Sequence, residues 1–354
     1  MNGCAFAAFF MGLVMYKKYG VITNCYMKNM RQKTFFVASL SSLLLAFGIF
    51  AVTFGSYEIQ VVQLLKAFLK SAASDADIVI WSIRLPRIVA SIVAGAALSL
   101  SGLTLQTFLK NPLASPMTLG IMHGAAFGAA VSVVIFSNQI FSATVFAFLG
   151  SISSTAVILS ISRMKKMSSE AVILSGVAMS SLFLSGTVLV QYLATETELS
   201  VIVFWTFGDA ARSNWQQIGI MSLIVIIVFI FLLIISLDMN AMDSGEDAAM
   251  GLGVNVESLR LWAVGAAALI SAVVTAFHGV IAFMGLIAPH IARRIVGADH
   301  RILIPCSALL GSLLLLAADT IGRIFVSSGA LPVGVITSFM GAPMFLYFLI
   351  REKR

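Results

Sequence analysis

The sequence predicts an all-α polytopic membrane protein with about ten transmembrane helices and both termini cytoplasmic. Three observations predict it. The 354 residues are 60% hydrophobic and only 10% charged, with a mean hydropathy of +1.02; a soluble domain of ordinary composition is ~25% charged. Apolar stretches recur from residue 34 onward, each close to the ~20 residues that carry a helix across a bilayer, and the alternation of a membrane β-barrel is absent. With the N-terminus inside, 16 of the 22 Lys and Arg residues fall in inner segments and six outside: Lys66, Lys70, Arg84, Arg87, Arg212 and Arg323. That bias is a topology signal, and it accounts for the net charge of +7 without nucleic acid.

Residues 1–33 are expected to form a cytoplasmic extension. Their apolar run, 4–16, is too short to span, and the basic residues follow it, the reverse of a cleaved signal. The ten spans are expected at 34–54, 84–107, 114–136, 140–161, 170–193, 216–236, 259–278, 281–296, 302–323 and 332–350, with a cytoplasmic tail at 351–354. Arg84 and Arg87 share one face at the outer end of the second span. Asn111-Pro112-Leu113 closes its inner end, where Pro112 lacks an N–H and holds Asn111 extended. Gly120, Gly124 and Gly128 recur every four residues at the start of the third span, a small-residue face for close helix approach. Ser168 and Ser169 stand before Glu170 as an N-cap for the fifth span. The outer stretch 194–215 reads as an amphipathic connector or a short outer helix, and Trp205 and Trp215 fit the interfacial aromatic belt. The inner loop 238–258 contains a short helix over 245–253, with acids at the end that the helix dipole favours and a closing glycine. Pro289 in the eighth span frees carbonyls that need partners. Asp319 is the single carboxylate inside a predicted span, four residues before Arg323, which suits an ion pair along one helix face.

Several chemistries are missing. No Gly is followed by Lys, so there is no phosphate-binding Walker loop, and neither His-Glu-x-x-His nor Gly-x-Ser-x-Gly occurs. Cys4, Cys25 and Cys306 have neither metal spacing nor a disulfide framework. His123 and His290 read as packing residues, and His278 and His300 as interfacial ones. An ion-coupled carrier would need titratable groups at membrane depth beyond Asp319, and an intramembrane enzyme would need a catalytic constellation there.

Seven ordered segments carry a resemblance: RLPRIVASIVAGAALSLSGLTLQTFLKNPLASPMTLG (84–120), ILSGVAMSSLF (173–183), FWTFGDAARSNW (204–215), GEDAAMGLGVNVE (245–257), FHGVIAFMGLIAPHIARRIVGADHR (277–301), AADTIGRI (317–324) and LPVGVITSFMGAPMFLYFL (331–349). The chain resembles the permease subunit of the ABC importers that take up ferric siderophores, haem and cobalamin. The first 30 residues and the Met-Asp-Ser before Gly245 depart from that pattern.

The resemblance implies a ten-helix permease domain over 34–350 that works by alternating access in a bacterial cell membrane. The partners it implies are a second permease subunit, identical or paralogous, two cytoplasmic ATP-binding subunits and an extracytoplasmic substrate-binding protein. It implies no catalysis, cofactor or metal in this chain. It assigns Arg84, Arg87 and Arg323 to docking of the binding protein, against plain interfacial snorkelling. Asn111 and Leu113, with Ser168 and Ser169, would line the cytoplasmic gate. Glu246, Ala249, Leu252 and Gly253 would seat the 238–258 loop on the ATPase. A ferric siderophore is the expected cargo, with haem and then cobalamin as alternatives.

Overall fold

The computed structural model describes residues 30–53, 75–136, 140–325 and 331–351, and every regular element among them is helical. Residues 1–29 of the expected extension, Lys66, Lys70 and residues 352–354 of the expected tail lie outside the described residues. Helix α1 is Met30–Thr53, so residues 30–33 already belong to the first span. A turn (Asp75–Ile78) and a π-helical segment (Val79–Arg84) lead into α2 (Leu85–Leu109). There follow α3 (Ile121–Phe136), α4 (Ile140–Met164), α5 (Ser169–Leu193), the short α6 (Glu196–Thr206), a 3-10 turn (Ala210–Arg212) and α7 (Trp215–Ile234). Two short helices come next, α8 (Ser236–Asp243) and α9 (Glu246–Gly251). The last four are α10 (Val256–His278), α11 (Met284–Val296), α12 (His300–Phe325) and α13 (Val333–Arg351).

Among the described residues seven helices are long and apolar enough to cross a membrane: α1, α2 with its π-helical lead-in, α4, α5, α7, α10 and α12. The apolar helices α3 and α13 are shorter, and α11, with 13 residues, stands where the eighth span is expected.

Two expected spans are cut back. Residues 114–120 of the third form turns, because Ser115 and Thr118 bond each other's backbone N–H through their hydroxyls at 3.2 and 2.9 Å and Gly120 takes a φ of +75°. Gly120 therefore precedes the small-residue face, which Gly124 and Gly128 provide alone. In the eighth, 281–283 is not helical. Gly279 and Phe283 both have positive φ, +77° and +66°, and helix starts only at Met284.

Helix α2 is the axis of the fold. It packs against α10, α11 and α12 and is buried over most of its length. Small residues permit this. A Cβ on Gly95 would lie 2.3 Å from the Gly311 carbonyl oxygen of α12, and one on Gly102 only 1.8 Å from the Gly285 carbonyl oxygen of α11. Buried serines tie the same interfaces: Ser99 to the Ser307 carbonyl (2.7 Å), Ser312 to the Ile92 carbonyl (2.8 Å) and Ser101 to the Ala267 carbonyl (2.7 Å). Small residues and interhelical hydroxyl bonds replace hydrophobic burial as the adhesive between helices in lipid. Helices α3 and α4 close on Gly124, Gly128 and Gly150 in the same way, and α5 packs on both.

The chain direction sorts the loops into two poles. The α2 axis spans ~37 Å at 1.5 Å per residue. Its start meets the end of α1 through Arg84, the 207–209 loop and the end of α12 through Arg87. Its end meets the α4–α5 turn and α8–α10. Met30 and Arg351, the first and last described residues, both lie at this second pole.

Candidate functional site

At the first pole the three arginines converge. Arg84 Nη1 donates to the Val52 and Thr53 carbonyls at 2.6 and 3.3 Å, and Arg323 Nη1 to the Ala51 carbonyl at 3.1 Å, so both answer free carbonyls at the end of α1. Asp319, wholly buried, receives Arg87 Nε at 2.7 Å and lies 3.2 Å from Arg323 Nε. The Asp319–Arg323 pair is present as expected; Arg87 is an added partner. Asp209, 3.8 Å from Arg87 Nη2, joins from the loop after α6. Arg84 and Arg87 are themselves buried.

The loop carrying Asp209 is pinned by its backbone. Asp209 N–H donates to the His278 carbonyl (2.8 Å), Gly208 N–H to the Val280 carbonyl (3.1 Å), and Gly334 N–H to the Gly208 carbonyl (3.0 Å). The non-helical stretch 279–283 thus has a protein partner for its Val280 carbonyl, as irregular backbone in a membrane protein requires. His278, the last residue of α10, is buried and faces Ser213 Oγ at 3.2 Å. Trp205 is also buried, among α3 and α4 alanines. Trp215 is half-exposed and donates Nε1–H to the Trp81 carbonyl in the π-helical segment at 2.9 Å. The 194–215 stretch does form a short helix, α6, with a capping box in which Thr195 and Glu198 exchange hydrogen bonds. Those bonds pull the Glu198 carboxyl below its ordinary pKa.

At the second pole the two expected gate segments meet. Lys110 ends α2 in the left-handed region (φ +47°), and Leu113 N–H bonds Asn111 Oδ1 at 2.9 Å, an Asx turn that leaves Leu113 exposed. Ser168 caps α5, accepting from Ala171 N–H. Ser169 Oγ lies 3.5 Å from the Phe108 carbonyl, in the last turn of α2.

The 245–253 helix is present as α9. Glu246 and Asp247 occupy its first turn, and Gly253 (φ +87°) closes it with N–H to the Met250 carbonyl at 2.9 Å. Of the four coupling residues expected there, Leu252 and Gly253 are exposed; Ala249 is wholly buried against the core. Glu246 is turned inward onto Arg260.

Arg260 is the residue that sequence reasoning missed. It entered only as an inner topology charge, yet it is wholly buried. It bonds the Phe108 carbonyl (Nε, 3.0 Å), the Met167 carbonyl and Glu246. His300 was expected at an interface and is also buried. Its ring joins Thr107 Oγ1 (2.9 Å) to Asn240 Oδ1 (2.9 Å). Beside it Arg293 reaches Asp243 at 3.3 Å. Burial pushes the Asp243 carboxyl up, with Arg293 opposing. Asp299, before α12, is held down at about 2, mainly by its hydrogen bonds from Arg301.

The comparisons with known proteins agree with this geometry. Residues 43–351 match the FecCD transport family. The chain is 44% identical over 333 residues to an ABC transporter permease protein of Methanocaldococcus jannaschii, covering 91% of this chain and 95% of that one. It is 34% identical to the hemin transport system permease protein HmuU of Yersinia pestis, covering 80% and 86%. A solved metal-chelate type ABC transporter in an inward-facing conformation superposes with a TM-score of 0.80 at 30% identity, over 89% of this chain and 99% of that one. Nine apolar helices among the described residues, a glycine-packed α2 at their centre, and these matches along nearly the whole length lead to one assignment: the chain belongs to the FecCD transport family and is a multi-pass cell-membrane permease subunit of an ABC importer, whose ATP hydrolysis resides in a separate subunit.

Proposed function

We propose that this permease imports a ferric siderophore delivered by an extracytoplasmic binding protein, with the second pole facing the cytoplasm. Two permease copies, identical or paralogous, would enclose the path, and two ATP-binding subunits would drive it. The observation that carries the reading is the neutralised interior. Asp319, the one carboxylate expected within a span, is matched by Arg87 and Arg323. That leaves, among the described residues, no unmatched acid within a span to bind a coupling ion and suits a bulky solute driven by ATP. The basic residues Lys110, Arg163, Lys165, Lys166, Arg293, Arg294 and Arg301 gather at the second pole, in keeping with a cytoplasmic face. Haem is the second reading, favoured by the similarity to the hemin permease.

Docking is assigned to Arg84, Arg87 and Arg323, three cations against the two acids Asp319 and Asp209. Among the described residues Arg87 Nη2 has no hydrogen bond, a donor open to an incoming carboxylate once the 207–209 loop shifts. Asn111, Leu113, Ser168 and Ser169 would form the inner gate. Leu252 and Gly253 would meet the ATPase, with Ala249 and Glu246 seating α9 from beneath.

The test is cargo-specific. The cognate binding protein is titrated with a ferric hydroxamate siderophore, with hemin and with cyanocobalamin, and uptake is then followed in proteoliposomes holding the full complex. Siderophore binding with ATP-dependent uptake is expected, and uptake should fall as salt screens the docking charges. Exclusive binding and uptake of hemin or cyanocobalamin would replace the cargo assignment.

A further inference from the structure

We propose that Arg260 is the positioning residue through which a displacement of α8–α9 reaches the end of α2 and the 110–113 turn. The inference rests on reading α8–α9 as the ATPase-facing pair.

The need for Arg260 begins in the sequence. In a continuing helix the Phe108 carbonyl would accept from the N–H of residue 112; that residue is Pro112, which has none. The acceptor is therefore orphaned inside the protein, and a buried carbonyl without a donor is costly. Arg260 Nε supplies the close donor at 3.0 Å, with Ser169 Oγ a longer second one at 3.5 Å.

A second orphan lies in the α4–α5 turn. Lys166 and Met167 both take positive φ, +52° and +54°, a conformation that non-glycine residues adopt only when their surroundings enforce it. Met167 is wholly buried and turns its carbonyl onto Arg260 Nη1. The third arm, Nη2, holds Glu246, the first residue of α9. One rigid guanidinium thus joins three elements that are far apart in sequence: the end of α2, the turn before Ser168 and Ser169, and α9.

The other attachments of α9 lack this direction. Ala249 rests on the apolar core, a contact that tolerates sliding. The neighbouring helix α8 grips the same turn of α2 through Asn240, His300 and Thr107, so the last turn of α2 is held on two sides. Moving α9 without moving Phe108 and Met167 would break charge-assisted bonds, which are stronger than neutral ones. Lysine carries the charge without the planar fork, so it cannot hold all three partners in the same geometry.

Two environment-sensitive fluorophores report the linkage, one on Ala248→Cys in α9 and one on Lys110→Cys at the end of α2. Each is placed singly in a chain whose native cysteines are replaced. The labelled full chain is assembled with its ATPase partner in lipid nanodiscs, and ATP with vanadate is added. In the parent both probes should respond. In Arg260→Gln the Ala248 probe should keep its response, while the Lys110 response falls about tenfold, the scale of one lost hydrogen bond to a charged group. Arg260→Lys should restore part of it.

Glu246→Gln keeps both carbonyl bonds of Arg260 and cuts only the charged link to α9. It should show the same split, and it decides the matter if Arg260→Gln does not assemble. Full Lys110 responses in the assembled variants, with the Ala248 response intact, would overturn the proposal. A parent complex that hydrolyses ATP while its Ala248 probe stays silent would instead remove the ATPase-facing reading of α8–α9, and this inference with it.

Discussion

Asp319 illustrates what one buried charge demands of its neighbours. Its carboxylate is fully enclosed, and two guanidiniums meet it at 2.7 and 3.2 Å. Removing one partner from a buried ion cluster costs about 3–5 kcal/mol, because the remaining charges stay desolvated. Asp319→Asn is therefore expected to lower the unfolding free energy of the detergent-purified chain by that amount, read as a marked drop in melting temperature. A loss under ~1 kcal/mol, the scale of a solvated surface pair, would show that water reaches the cluster. The i,i+4 spacing made Asp319–Arg323 readable in the sequence. Arg87 was unreadable as a partner because 232 residues separate it from Asp319. Arg260 was harder still. Two of its three partners are backbone carbonyls, and a carbonyl leaves no residue-type signature.

Among the elements, what is local in cause was legible. The Asn111 turn, the Ser168 cap, the acidic start of α9 and the Gly124–Gly128 face all follow from a few neighbouring residues, and all are present. The late start of α11 was not legible. Residues 279–283 are apolar enough to continue a span, but the Val280 carbonyl is taken by the Gly208 N–H, some 70 residues earlier in the chain. Helix packing makes its own prediction from two glycines. A Cβ on Gly102 would sit 1.8 Å from the Gly285 carbonyl oxygen, whereas one on Gly265, inside α10, would meet nothing within 4 Å. Gly102→Ala should destabilise by at least the ~1–3 kcal/mol typical of overpacking. Gly265→Ala should stabilise by up to ~1 kcal/mol through helix propensity. Thermal unfolding of the two variants side by side decides this, and equal effects would mean that the α2–α11 approach is looser than described.

At the scale of the whole molecule, the glycine and serine contacts bind α2, α11 and α12 into one block, with α3, α4 and α5 packed as a second group. No glycine in the chain is directly followed by a lysine, so the Walker loop is missing. The purified permease is thus expected to show no ATP hydrolysis above a detergent blank, and activity should appear only when the ATPase partner is added. Robust turnover by this chain alone would contradict its place as the passive membrane half of the machine.

The long separation between Arg87 and Asp319 also dictates an order of events during biogenesis. A ribosome adds ~5–20 residues per second, so the arginine emerges roughly 10–50 s before its carboxylate. Throughout that interval Arg87 has no Asp319 to meet, and snorkelling toward lipid headgroups is the arrangement open to it. The glycine face meant for α11 and α12 is meanwhile covered only by acyl chains. The final seating of α2 therefore waits for the end of synthesis. A nascent chain interrupted before α12 would display an unneutralised guanidinium and a bare small-residue groove, marks by which membrane proteases can tell an unfinished copy from a finished one.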